Sequence, residues 1–346
     1  MRAPRPDTSL TPWLLRQPAV RELRVAGSPL ASVLDNQLRF ALARTPGAAG
    51  TWVLAPESSG AAAALQAPGG DRLERILLGT VKAVDARRPS SVTHISLATG
   101  DTGFAANLLA DRLAANPGEV QRLAQADPRE GVNMLEQMLS RNAPVSNRAE
   151  GVHDSGRLSL SWPTSYQLLL AAADPASAAS IATQHAQYVL AHELEHTVTP
   201  RQGADTGRLD WLEEATAEVL TLNRRSATER SRAAGISPTD ASASYREWLR
   251  AYAERHDTLT TLLDAAGIAT STSRGLAAAS KLLQGAPIGQ VPARLARAIG
   301  ANRGLSASET QGVQQAIESG DGTARFAQEI ARRIAPRART SARKGS

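Results

Sequence analysis

The sequence predicts an α+β protein, with a small mixed sheet, a helix that carries the chemistry, and a mainly helical C-terminal half. Three observations carry this expectation. Short β-branched or alternating runs occur only before residue 163. The segments between and after them repeat apolar residues every three or four positions, the period of a helix with one buried face. Strand-like and helical runs interleave in the first half, the order that lays helices on a sheet.

The elements follow in order. Residues 1–27 hold Pro4, Pro6, Pro12 and Pro18 and read as irregular, and residues 28–44 read as a helix. Thr51–Ala55 (TWVLA) is a short apolar strand. A loop rich in Gly, Ala and Pro leads to Asp71, after which Leu73, Ile76, Leu77, Val81 and Val84 recur at helical spacing. Val92–Ala98 (VTHISLA) is a second strand. Residues 101–142 read as helices broken at Pro117–Gly118 and Asp127–Pro128. Gly156–Trp162 (GRLSLSW) alternates polar with apolar residues, as a half-buried strand does, and Pro163 closes it. Asp174–Pro175 is a helix start, a cap followed by proline in the first turn, and this helix runs to about Thr199, where Pro200 stops it. Further helices are expected from Asp210, over about 241–256, and near 272–284, 288–299, 307–319 and 322–334. The expected domains are an extension over 1–45, an α/β part over 46–200, a helical part over 201–335 and a basic tail over 336–346.

Composition narrows the chemistry. Aromatic residues make up 3% of the chain, so much of its apolar content is alanine, which favours helix and packs in thin layers. Cysteine is absent, so disulfides and thiolate metal sites are excluded, and any metal site must use His, Asp or Glu. The formal charge is +6, and the excess gathers at the end: Arg325, Arg332, Arg333, Arg337, Arg339, Arg343 and Lys344 face one acid, Glu329. Such a run reads as a solvated tail or as a contact for nucleic acid or another polyanion. No apolar run has the length of a signal peptide or a membrane span, so a cytoplasmic protein with no membrane span is expected.

His192-Glu193-Leu194-Glu195-His196 is an HExxH motif inside an expected helix. Residues i and i+4 lie one turn apart on one face, so two imidazoles can reach one metal ion. The glutamate at i+1 stands beside the pair, within reach of a water on that ion. The chain has six histidines, and two fall at this spacing with Glu193 between them. Catalytic zinc usually takes three protein ligands. The next histidine is His256, so the segment Asp210-Trp211-Leu212-Glu213-Glu214-Ala215-Thr216-Ala217-Glu218 is the obvious source of a third. Asp210 and Glu213 are spaced as a capping box. That leaves Glu214 as the freer ligand, and Glu218 one turn later as a group that can accept a hydrogen bond from a ligand histidine.

HELEH followed by WLEEATAE resembles the gluzincins, the thermolysin-like and aminopeptidase-like zinc peptidases. Many of these carry HExxH and then a WLxEGxAE-type helix whose glutamate is the third ligand. On that pattern Trp211, Leu212, Ala217 and Glu218 match, Glu214 falls on the ligand, and Ala215 replaces the usual glycine. The resemblance covers roughly residues 190–220. It implies a zincin-like fold, Zn2+ held by His192, His196 and Glu214, Glu193 as general base, and a peptide or protein substrate. It also implies that the edge strand before the active helix holds substrate backbone, a role it would give GRLSLSW. The oxyanion donor in similar enzymes is a Tyr or His from the helical half. Tyr245, Tyr252 and His256 share a helical face here, and Tyr252 is the favoured donor, although the same face with Trp248 and Leu249 can be core.

The remaining candidates read as structural. His185 lies on the face of His192, while His94 and His153 have no partner at metal spacing. Neither a GxSxG elbow nor a phosphate-binding GxxxxGK[ST] loop occurs. Two alternatives to a general peptidase stand beside it: a zincin-fold binding or structural module without catalysis, and an intracellular regulatory peptidase that cuts one specific protein.

Overall fold

The structure, a computed structural model, describes residues 37–45, 51–86, 89–146, 151–154, 156–198, 209–222 and 250–334. It is a mostly helical α+β chain with one five-stranded mixed sheet. The described elements fall into two compact units, the first ending with the HExxH helix and the second holding the later helices.

The first unit opens with β1 (Leu38–Arg44) and β2 (Trp52–Pro56), followed by α1 (Ser59–Gln66), α2 (Gly70–Asp85) and β3 (His94–Leu97). Three helices come next, α3 (Asp101–Ala115), α4 (Pro117–Gln125) and α5 (Pro128–Ser146), broken where the two prolines predict. Then follow β4 (Gly151–Asp154), β5 (Arg157–Leu160), α6 (Trp162–Ala173), a 3-10 turn at Pro175–Ala179, and α7 (Ile181–His196). The strand order is β2-β1-β3-β5-β4, with β3 and β5 parallel and the other pairs antiparallel.

The segment 28–44 is not one helix, because Leu38–Arg44 is a strand, and residues 28–36 lie outside the described part. Leu38, Phe40 and Leu42 alternate with Arg39, Ala41 and Ala43, and that period of two places the larger apolar side chains on the buried face. The loop before Asp71 contains helix α1, whose first turn Ser58 caps by accepting from the Ala61 amide. The strand expected over 156–162 ends at Leu160, and Pro163, expected to close it, sits in the first turn of α6, where a missing N–H costs nothing.

The two faces of the sheet differ in character. Leu38, Leu97 and Leu160 form one apolar row, and Phe40, Ile95 and Leu158 form the next. The other face carries Arg39, Ser96 and Ser159 side by side on three strands, all fully buried. Arg39 donates to Glu57 at 3.0 Å and to Asp111 of α3 at 2.8 Å, and Ser159 donates to the same Asp111 at 2.7 Å. A buried guanidinium is tolerable because two carboxylates face it. GRLSLSW is thus buried on both sides, not half-buried as its alternation predicts.

The second unit is helical: α8 (Asp210–Leu222), α9 (Arg250–Ala265), α10 (Ser273–Leu283), a 3-10 turn at Ile288–Gln290, α11 (Val291–Arg303), α12 (Ala307–Ser319) and α13 (Ala324–Ile334). Its core joins Trp211, Leu212, Leu259, Leu263, Leu295, Ile299, Ile317 and Ile330, with Trp211 edge-on to Phe326 at 5.3 Å. Trp211 is therefore a core anchor, as expected. Trp248 and the tail beyond residue 334 lie outside the described residues. Among the described residues, no helix is long and apolar enough to cross a membrane.

Candidate metal centre

Helix α7 places the motif. Ser180 starts it by accepting from the Thr183 amide. The segment from Thr183 to Val198 is buried except at the half-buried Glu193. The helix ends at His196, and Thr197 follows in helical geometry with its hydroxyl donating to the Leu194 carbonyl at 2.7 Å. The Thr197 carbonyl in turn accepts from the amide and hydroxyl of Ser91, which pins this end of α7 to the segment before β3. One helix N-terminus and one tertiary tether thus fix where the motif stands.

The i, i+4 spacing does what the sequence predicts. The Nε2 atoms of His192 and His196 lie 3.1 Å apart, with ring centroids 4.9 Å apart and planes crossing at 73°. Two nitrogens bound tetrahedrally to one zinc at ordinary bond lengths would lie about 3.3 Å apart. The pair therefore fits a shared metal ion.

Glu193 lies beside the pair, and its side chain packs over Gly151 of β4. A Cβ built on Gly151 would stand 2.6 Å from Glu193 Cγ and 3.0 Å from its Oε1. Only glycine leaves the carboxylate this room. The hairpin behind it turns through Gly156, whose φ of +80° suits glycine and whose added Cβ would meet the Ser91 carbonyl oxygen at 2.3 Å.

GRLSLSW, expected as an edge strand, is interior to the sheet. β5 pairs with β3 on one side and β4 on the other, so its backbone groups are spent in two ladders. β4 ends the described sheet, and it is the strand that meets Glu193. Alternation of side chains has the same period in an interior and an edge strand, so the sequence pattern did not separate them.

Tyr188 is a residue the sequence reading passed over. It lies one turn before His192, is buried, and its hydroxyl is 3.2 Å from His192 Nδ1. The Tyr-x-x-x-His spacing was the available signal. His185 is buried with its ring stacked on Tyr188 at 6.1 Å, a core position as expected. His94 is held by Thr93 Oγ1 at 2.8 Å and Glu57 at 3.2 Å, again structural.

In the second unit Glu214 stands in the second turn of α8 and is half-buried, while Glu213 and Glu218 are buried. Asp210 and Glu213 both lie in the first turn, where the helix dipole favours negative charge. His256 on α9 is buried with Nδ1 2.9 Å from Asp257. Tyr252 falls in the first turn of α9 with its side chain outside the described part, and Tyr245 lies wholly outside it.

No protein-family model, no curated protein and no solved structure matches this chain.

Proposed function

We propose that the chain is a zinc-dependent peptidase of zincin type, with His192, His196 and Glu214 as metal ligands and Glu193 as general base. The observation that carries this reading is the convergence of two buried imidazole Nε2 atoms at 3.1 Å on one turn of α7. Glu214 is the proposed third ligand because it falls on the ligand position of the WLxEGxAE-type pattern that Trp211–Glu218 resembles. Absence of cysteine leaves this nitrogen and oxygen set as the natural choice.

A zinc ion bound there would polarise a scissile carbonyl and lower the pKa of an attacking water toward 7. The protein's own groups do the rest. Glu193, held over Gly151, takes the proton of the attacking water and passes it to the leaving amine. β4 ends the described sheet and its Gly151 meets that carboxylate, and a strand so placed can pair with an extended peptide through backbone hydrogen bonds. Tyr252 remains the proposed donor to the developing oxyanion.

The test is metal content by mass spectrometry, with casein cleavage by the wild type and by Glu193→Gln. The reading predicts about one zinc per chain in both proteins and cleavage only in the wild type. Absence of bound zinc at micromolar supply would refute it. Bound zinc without Glu193-dependent cleavage would favour a non-catalytic module. Cleavage of one partner protein but not casein would favour the regulatory peptidase.

A further inference from the structure

We propose that Tyr188 is the positioning residue for His192, its phenol oxygen holding the imidazole in the form that presents Nε2 to a metal ion. This rests on the reading of His192 as a metal ligand and extends it to a residue outside the HExxH motif.

An imidazole that gives Nε2 to a metal carries its proton on Nδ1, and that N–H needs an acceptor. At His192 the Nε2 atom faces the Nε2 of His196, so Nδ1 is the nitrogen turned the other way. The Tyr188 oxygen stands 3.2 Å from it. A phenol oxygen can accept from Nδ1–H while its own proton points elsewhere.

The phenol is itself held in place. Its ring lies between two imidazoles on the same face of α7, with centroids 6.1 Å from His185 and 5.8 Å from His192. The residue is 2% exposed. Spacings of three and four residues bring the three rings into one row, because such neighbours share a helical face. The usual support for a zinc-ligating histidine is a carboxylate, a backbone carbonyl or water from another element. Here the helix that carries the ligand also carries its support.

The experiment compares zinc affinity of the wild type and Tyr188→Phe by competition with a chromophoric chelator. Phenylalanine keeps the ring and its packing and removes only the oxygen. The expected result is about 10- to 100-fold weaker zinc binding, with the melting temperature of the metal-free protein little changed. Cobalt-loaded samples should differ in their visible absorption bands, a signature that a purely packing role would not move. Equal zinc affinity in the two proteins, with the wild type binding zinc, would overturn this inference and leave the metal-site reading intact. A wild type that binds no zinc would sink both. Should Tyr188→Phe fail to fold, NMR of the zinc-loaded wild type decides. A slowly exchanging Nδ1 proton on His192 is expected, and metal attachment through Nδ1 would overturn the assignment.

Discussion

Replacing Gly151 with alanine drives one methyl group into the side chain of the proposed general base. The added carbon would stand 2.6 Å from Glu193 Cγ and 3.0 Å from both Cδ and Oε1. Ordinary contact begins at 3.4 Å, so Cγ has to retreat by at least about 0.8 Å. The backbone of Gly151 is not among the left-handed glycines, so alanine is sterically compatible with its own main chain and the damage is confined to the contact. A displacement near 1 Å at a reacting group costs on the order of 100-fold in rate, or about 2.7 kcal/mol of barrier. The three atoms nearest the new methyl all belong to Glu193, so the clash falls on the base and zinc binding should stay at the wild-type level. The assay is kcat and KM on a peptide substrate, with zinc content measured on the same samples. A kcat about 100-fold lower with zinc retained is the expected result. Wild-type kcat in Gly151→Ala would refute the reasoning, because the proposed base would then tolerate displacement or lie elsewhere. Loss of zinc together with activity would refute it differently, by showing that the strand holds the ligands rather than the base.

The other predictions concern the scaffold and the third ligand. Arg39→Ala leaves Glu57 and Asp111 without the buried guanidinium that both bind. It should destabilise the protein by about 3–5 kcal/mol, the cost of breaking a buried ion pair, and urea denaturation of both proteins checks this. Glu214→Gln should weaken zinc at least 10-fold in the same chelator competition, because a neutral amide replaces a carboxylate ligand; unchanged affinity would remove Glu214 from the ligand set. Asp174 caps the 3-10 turn before α7, and its carboxyl is held below the ordinary carboxylate range by the Ser177 hydroxyl and then by the Ala176 amide. Its contribution is therefore present above the unfolded carboxylate pKa and fades as pH falls through the lowered folded value. Asp174→Asn should flatten that acid-side loss without altering stability slopes above neutrality, which thermal melts across pH would show.

Local features were legible because their causes are local. The HExxH pair needs only that residues 192–196 be helical, and helical spacing alone then brings the two rings together. The breaks at Pro117 and Pro128, the starts of α10, α12 and α13, and the helical second half follow from proline geometry and apolar period in the same way. Leu38–Arg44 failed on those terms. LRFALAR is rich in good helix formers, and only its pairing with β2 and β3 made the alternation of Leu38, Phe40 and Leu42 decisive.

What the chain's own order of residues determined, then, is which side chains share a helical face: His192 with His196, and Tyr188 with both. What the tertiary structure alone decided is which strand ends the sheet, that Gly151 yields its side-chain space to Glu193, and that Arg39 lies buried between Glu57 and Asp111. The division has one physical cause. A helix closes its hydrogen bonds four residues away, so its faces are written in the spacing of neighbours. A strand closes them on a partner far along the chain, so its neighbours and its edge exist only once the sheet has assembled.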